Sequence, residues 1–302
     1  MTHRHVALPA SAETYQLGEG PVWDAARERL LWVDIVAGTV LAGRLDPAAG
    51  TVEVTGRHTF DETVGAVAVA AAGDLVVAER AVVTRLDVTG ERTELARVLP
   101  AGVGSRLNDG AVDPAGRFLV GSLAQDARRG GEVLVRLDDD RCVVLDRDLY
   151  LSNGLAWSPG GDRFYSIDTD PGTVWVRDYD PATGAVGRRQ ESFTVADGSP
   201  DGMCVDASGN LWIAVWGRGR VECRTPAGRV LATVEVAAPH TSSVAFAGPD
   251  LDLLVITTAR QDLTREDLAE HPDSGRLFTA RVGARGLALP YWVPPAVPAA
   301  SS

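Results

Sequence analysis

Apolar and polar residues alternate in six separate segments of the chain, and each segment contains two apolar runs joined by a turn rich in Gly, Pro or Asp. The segments are EGPVWDAARERLLWVDI, VGAVAVAAAGDLVVAE, DGAVDPAGRFLVGSL, NGLAWSPGGDRFYSID, DGMCVDASGNLWIAVW and SSVAFAGPDLDLLVITT. A period of two is typical of a β-strand that buries one face. Each segment therefore predicts a β-hairpin.

The first strand of each hairpin begins at a small residue, and successive small residues are 41 to 48 positions apart. They are Gly20, Gly65, Gly110, Gly154, Gly202 and Ser243. Two further strand-like runs follow most hairpins, for example 39–47 and 51–60. Four strands in about 45 residues match one propeller blade. We predict an all-β, six-bladed β-propeller with four antiparallel strands per blade over residues 15–290, with a pair of β-sandwiches as the alternative.

The two ends of the chain lack this pattern. We expect residues 1–14 to be frayed and residues 291–302, rich in Pro, Ala and Ser, to form a flexible tail. Which end supplies the last outer strand stays open. The N-terminus has no signal-like apolar core, and no run approaches the ~20 apolar residues of a membrane span, so we expect a cytoplasmic protein that contacts no membrane.

The charge and cysteine content of the chain limit the classes of molecule that it is expected to bind. Lys and Arg number 29 against 41 Asp and Glu, and a formal net charge of −12 disfavours nucleic acid. Three widely spaced Cys residues form no zinc or disulfide motif, so reduced thiols are expected. A small molecule is the favoured partner, and a monomer is the default oligomeric state.

The residue just before each anchor lies at the start of an inner strand, where equivalent positions of a propeller surround the central channel. These residues are Glu19, Val64, Asp109, Asn153, Asp201 and Ser242. Converging carboxylates repel one another unless a cation compensates them. Oxygen ligands suit calcium, magnesium or manganese better than zinc. The alternative is that Asp and Asn before Gly only form turns, which explains Glu19 poorly.

The motifs GEGPVWD, RLNDGAVDPAGRF, SNGLAWSPGGDRFYSID and SPDGMCVDASGNLWIAVWG resemble those of the gluconolactonase family, which includes regucalcin (senescence marker protein) and luciferin-regenerating-enzyme-like proteins. The resemblance covers about residues 15–282 in family order. It implies a six-bladed propeller with one divalent metal in the channel, held by Glu19, Asn153 and Asp201. It allows zinc or iron as well as the calcium or manganese that the ligand types favour.

The same resemblance implies substrate contacts from Arg106 and Asn108 of the RLNDG motif. The repeat register selects Asp109 instead, and neighbouring strand residues face opposite ways unless the backbone bends. Where regucalcin-like members carry a substrate-binding Glu, this chain has GSLAQDARRGG, which brings Asp126 or Gln125 near that position. The substrate preference is expected to differ accordingly.

A metal at the channel mouth can polarise a carbonyl and activate water, as ester hydrolysis requires. We predict a metal-dependent lactonase that converts an aldono-1,4- or 1,5-lactone to the aldonic acid. Asp201 is both metal ligand and candidate general base, with hydroxide on the metal as the alternative base. A calcium-dependent phosphotriesterase and a non-catalytic metal-binding propeller are the competing functions. We expect His240 to be a solvated loop residue and Trp216 to serve blade packing.

Overall fold

The computed structural model describes residues 2–126, 128–138 and 141–295, which are almost entirely β-strands and their connections. Before the first blade come β1 (His3–Val6) and β2 (Leu8–Pro9). Blades 1 to 3 contain β3 (Gly18–Asp24), β4 (Arg29–Asp34), β5 (Thr39–Asp46) and β6 (Thr51–Thr59); β7 (Val64–Val69), β8 (Leu75–Glu79), β9 (Val82–Leu86) and β10 (Arg92–Arg97); and β11 (Ser105–Val112), β12 (Phe118–Ala124), β13 (Glu132–Asp138) and β14 (Arg141–Leu149).

The second half of the chain repeats this arrangement. Blades 4 to 6 contain β15 (Ser152–Trp157), β16 (Arg163–Asp168), β17 (Thr173–Asp178) and β18 (Gln190–Thr194); β19 (Ser199–Val205), β20 (Leu211–Trp216), β21 (Arg220–Arg224) and β22 (Val230–Glu235); and β23 (Thr241–Ala247), β24 (Leu253–Thr258), the helix α1 (Arg265–Glu270) and β25 (Phe278–Arg281). Within each blade the strands pair antiparallel in chain order from the channel outward. The prediction of a six-bladed propeller is confirmed.

The N-terminal segment closes the ring of blades, so the expectation that it is frayed was wrong. β2 pairs antiparallel with β25 and is the outermost strand of blade 6. β1 pairs in parallel with β22 and adds a fifth strand to blade 5. The backbone of Ala10 bonds both to Leu277 in blade 6 and to Val52 in blade 1. Backbone pairing thus orders a segment whose sequence has too few apolar residues to show a strand pattern.

The hydrophobic core lies between the blades rather than within one central cluster. The buried apolar residues of the described ranges form six clusters, one at each junction between neighbouring blades. Trp32 and Trp212, for example, are fully buried at the junctions of blade 6 with blade 1 and of blade 5 with blade 6. Because each sheet packs on both neighbours, both of its faces are apolar.

Residues 285–293, called the strap here, cross one end of the propeller. Backbone hydrogen bonds join the strap to Ala207 of blade 5 and Leu251 of blade 6. Further along, the Trp292 amide donates to the carbonyl of Val69 in blade 2, and the Val293 amide donates to that of Gly116 in blade 3. The expected flexible tail is therefore fixed as far as Val293, while residues 296–302 lie outside the described residues.

Helix α1 is short and lies in the long connection of blade 6. Its N-cap Thr264 and Asp267 form a reciprocal capping box, which satisfies backbone donors of the first turn. Across the part of the chain that the structure describes, no helix has the length and apolar character needed to cross a membrane.

Candidate active site

All six inner strands have an irregularity in their pairing at the ring position. The register shifts lie between Glu19 and Val22, Val64 and Ala66, Leu107 and Gly110, Asn153 and Leu155, Pro200 and Met203, and Thr241 and Ser243. A β-bulge bends its strand and changes the direction of the side chains beside it. The bulges therefore occur where the sequence repeat places the candidate ligands.

Anchor glycines let the inner strands approach one another at this level. A Cβ atom built on Gly154 would lie 2.7 Å from the carbonyl oxygen of Asp201 in the next blade. One on Gly65 would overlap the backbone of Asn108 in the same way. Since real Cβ atoms do not tolerate such distances, glycine at these positions sets how closely the ring residues approach each other.

A chain of hydrogen bonds joins three blades at the ring. Arg106 Nη1 donates to Asn108 Oδ1 over 2.6 Å, and Asn108 Nδ2 donates to Asn153 Oδ1 over 2.7 Å. Asn153 Nδ2 donates to the Thr169 hydroxyl over 2.9 Å, and that hydroxyl donates to the Pro200 carbonyl over 2.8 Å. The structure thus brings together Arg106, Asn108 and Asn153, which the sequence selected.

The two carboxylates of the predicted metal set are buried beside this chain. Burial raises the pKa of Glu19 to about 8, and the charge of Asp109 adds to the rise. Burial and then the charge of Glu19 hold the pKa of Asp201 well above its ordinary value. Burial lowers the pKa of Arg106 to about 10. The negative charges of Glu19 and Asp201 act in the opposite direction and raise it, but by less than burial lowers it. The positive charge of Arg106 therefore compensates the buried carboxylates only in part. A bound cation would supply the missing positive charge.

Asn108 and Asp109 both face the channel because of the bulge between Leu107 and Gly110. Asn108 joins the hydrogen-bond chain, whereas Asp109 lines a chamber of about 420 Å³ on the strap side of the ring. The Asp109 carboxylate accepts the amide hydrogen of Gly110 over 2.8 Å, and burial raises its pKa to about 6. The bulge is the backbone bend that the sequence required for both residues to face inward.

The loop after β12 carries the other predicted substrate contact. Asp126 is exposed and forms a two-oxygen ion pair with Arg128, each contact 2.9 Å long. Arg128 also donates to the Ser105 hydroxyl, which donates to the buried carboxylate of Glu132 over 2.8 Å. Asp126 is thus linked to the ring through Arg128 and Ser105, the residue before Arg106. Substrate contacts from Asp126 or the exposed Gln125 stay a prediction.

Trp216 and His240 stack face to face at the rim, with ring centroids 4.1 Å apart and an angle of 15° between the planes. Trp216 also packs on the apolar cluster between blades 1 and 2, and its role in blade packing rather than sugar binding stays a prediction. His240 was expected to be solvated, but it is half-buried and its Nδ1 lies 2.9 Å from the Gln261 carbonyl. Burial lowers the pKa of His240, so the neutral ring is favoured.

Sequence patterns did not indicate two contributors to the site, Thr169 and Glu132. Thr169 lies in the connection after β16, outside every repeat anchor, and Glu132 begins β13. Both act through side-chain hydrogen bonds between segments distant in sequence. Only the observation that buried Asn and Ser groups need partners could have suggested them.

Among residues 2–126, 128–138 and 141–295, no group of three or more His, Cys, Asp and Glu side chains is arranged to hold a metal ion. The predicted set differs in kind, because its third member is the amide oxygen of Asn153. A carbonyl oxygen has two acceptor positions, and Asn108 uses one of them. Two buried carboxylates and one amide oxygen form a donor set that fits a hard divalent cation.

A family model described as SMP-30/Gluconolactonase/LRE-like region matches residues 17–260. The chain belongs to this family. The match includes every ring position from Glu19 to Ser242 and the hydrogen-bond chain that starts at Arg106. The family resemblance inferred from the motifs is thereby confirmed.

Individual members of the family extend over nearly the whole chain. The protein is 39% identical to a 6-deoxy-6-sulfogluconolactonase of Pseudomonas putida over 279 residues, 91% of this chain and 94% of that protein. It is 36% identical to the pentonolactonase XacC of Haloferax volcanii over 279 residues, 90% of this chain and 92% of that protein. A solved structure of the calcium-binding protein regucalcin from Agrobacterium tumefaciens superposes with a TM-score of 0.89 at 26% identity, covering 97% and 100% of the two chains.

Proposed function

We propose that this protein is a metal-dependent lactonase that hydrolyses an aldonolactone to the aldonic acid. The observation that carries the proposal is the buried chain from Arg106 through Asn108 to Asn153, beside two buried carboxylates at the channel mouth. Relatives named as lactonases for a sulfonated hexonolactone and for pentonolactones support the substrate class.

Glu19, Asn153 and Asp201 would hold the metal. Burial raises the pKa values of Glu19 and Asp201, and the charge of Asp109 adds to both rises, so a divalent cation would stabilise both charged forms. When bound, the metal would polarise the lactone carbonyl and make a water molecule more acidic. All three donors are oxygens, which favours calcium or manganese, and the similarity to a calcium-binding regucalcin supports calcium as the first metal to test.

The side chains of this chain would orient the lactone and move the proton. Arg106 uses Nη1 for the carbonyl of Leu107 and for Asn108, which leaves the donors on Nε and Nη2 for hydroxyl and ring oxygens of a sugar lactone. Asp201 would accept the proton of the attacking water, acting as a weak base because the bound metal would lower its pKa. That proton then passes to the alkoxide released when the ring ester bond breaks.

The test is proton release from a panel of aldonolactones, measured against the spontaneous rate after chelator treatment and after adding back calcium, manganese, magnesium, zinc or iron separately. We expect one or more metals to restore hydrolysis, and Asn153→Ala and Asp201→Ala to abolish it in folded protein. Asn210→Ala is the matched control, because Asn210 is the same residue type as Asn153 and its side chain bonds to Asp206 in a turn of blade 5. Metal binding without turnover of any lactone would overturn the proposal.

A further inference from the structure

One hydroxyl group connects two blades that carry candidate metal ligands. Thr169 follows β16 of blade 4 and is half-buried. Its Oγ1 lies 2.9 Å from Asn153 Nδ2 and 2.8 Å from the carbonyl oxygen of Pro200, the residue before Asp201. Thr169 therefore touches one candidate ligand directly and the backbone of the residue that precedes another.

The direction of the hydrogen bonds around Thr169 is determined at both ends. A carbonyl oxygen only accepts, so the Thr169 hydrogen is directed at Pro200 and the lone pairs of Oγ1 face Asn153. At the other end a guanidinium only donates, so Arg106 requires the oxygen of Asn108 on its side. The Asn108 nitrogen consequently faces Asn153. Both neighbours of Asn153 thus favour the same orientation of its amide.

This orientation decides whether Asn153 can bind a cation. Its Oδ1 is on the side of the ring where Asn108 lies, and its Nδ2 is on the side of Thr169. The amide nitrogen carries two hydrogens and has no lone pair for a metal, so a flipped amide would present a donor to the cation. Residues that hydrogen-bond to metal ligands fix the orientation of those ligands in this way.

We propose that Thr169 is a positioning residue that keeps the amide oxygen of Asn153 toward the metal and the amide nitrogen away from it. The inference rests on the proposed function insofar as Asn153 is a metal ligand there. It adds a residue that contacts neither the metal nor the lactone, and it gives that residue a defined effect on one ligand.

The test uses Thr169→Val, which keeps the shape of the side chain and removes the hydroxyl. Binding of Ca²⁺ and of Mn²⁺ to chelator-treated protein is measured by titration calorimetry, with a thermal melt of each variant as a check of folding. We expect Thr169→Val to weaken metal binding about 10- to 100-fold, as outer partners of metal ligands do. Thr169→Ser retains the hydroxyl and is expected to bind metal as the wild type does.

A second background separates orientation from general damage. In Asn153→Asp both side-chain oxygens can bind a cation, so orientation no longer matters. We therefore expect Thr169→Val to leave metal affinity unchanged when it is added to Asn153→Asp. The same loss in both backgrounds would overturn the orientation role, as would wild-type affinity in Thr169→Val alone. If the wild-type protein binds no metal, the proposed function fails and this inference fails with it.

Discussion

The amide nitrogen of Asn108 donates to the amide oxygen of Asn153 across the boundary between blades 3 and 4, over 2.7 Å. The two residues are 45 positions apart in the chain, one repeat of the propeller. Asn108 also accepts a hydrogen bond from Arg106, so it links the side chain expected to bind substrate to the side chain expected to bind metal.

Replacing Asn108 by Ala removes one buried hydrogen-bond partner from Arg106 and one from Asn153. An unpaired buried polar group costs about 1–3 kcal/mol, so we expect kcat/KM for aldonolactones to fall about 10- to 100-fold. Initial rates measured with saturating metal test this. Asn210→Ala is the control, since Asn210 bonds to Asp206 in a turn of blade 5 on the strap side. An equal loss of activity in both variants would contradict the role of Asn108.

The raised pKa of Glu19 predicts a pH dependence of stability in metal-free protein. Its ordinary pKa of 4.5 rises to about 8 in the folded chain, so the folded state binds more protons than the unfolded state between these values. Stability contributed by this group is therefore lost as the pH rises toward about 8. Burial lowers the pKa values of His58 and His240, which changes stability in the opposite direction, but only below about pH 6.5.

We therefore expect the Tm of chelator-treated protein to fall between about pH 6.5 and about pH 8, the window bounded by the His and Glu19 values. Glu19→Gln removes the titrating group and should make Tm depend less steeply on pH. Added metal should raise Tm most at the alkaline end of the range. Thermal denaturation over this range is the measurement. A Glu19→Gln variant with the wild-type slope would show that another group causes the dependence.

Gly154 allows blades 4 and 5 to approach each other at the ring. A Cβ atom there would lie 2.7 Å from the Asp201 carbonyl and 2.9 Å from Met203. We expect Gly154→Ala to lower the free energy of unfolding by about 1–3 kcal/mol, as overpacking does, and to weaken metal binding by displacing Asp201. Gly56→Ala is the control, because the nearest atom to its Cβ is 3.9 Å away. Denaturant unfolding and metal titration of both variants test this prediction. Equal stability and equal metal affinity in the two variants would contradict it.

The strap contributes to stability through Trp292. This side chain is 3% exposed, whereas that of the next residue, Val293, is 63% exposed. Truncating a buried Trp to Ala costs about 3–5 kcal/mol, so Trp292→Ala should shift the unfolding midpoint strongly and Val293→Ala should not. Equal midpoints for the two variants would mean that the strap is not part of the cooperative unit.

The sequence predicted the features that repeat and missed those that occur once. Glu19, Asn153 and Asp201 occupy one slot of the six-fold pattern together with Asp109, so the register selected these four and the family resemblance reduced them to three. Thr169 occupies no such slot, and only its contacts in three dimensions reveal it. The bulge beside Asp109 changes side-chain direction without changing the apolar pattern, so the sequence could not show whether the strand bends there.

The ends of the chain were mispredicted for a different reason. β1 and β2 are too short to carry a periodic signal, and their pairing depends on strands more than 200 residues away. The predicted tail, residues 291–302, is rich in Pro and Ala, yet its first residues belong to the strap, which backbone bonds hold to four blades. The composition of a segment indicates whether that segment is ordered by itself. Both ends of this chain are ordered by hydrogen bonds to blades formed by other parts of the chain.

The strap lies across one end of the channel, so a lactone that approaches the ring from the other end would enter, and its hydrolysis product would leave, through the same mouth. An arriving lactone and a departing aldonate therefore cannot pass each other. We expect the aldonate to inhibit in competition with the lactone, so that turnover in the cell would depend on how quickly the next reaction removes the acid.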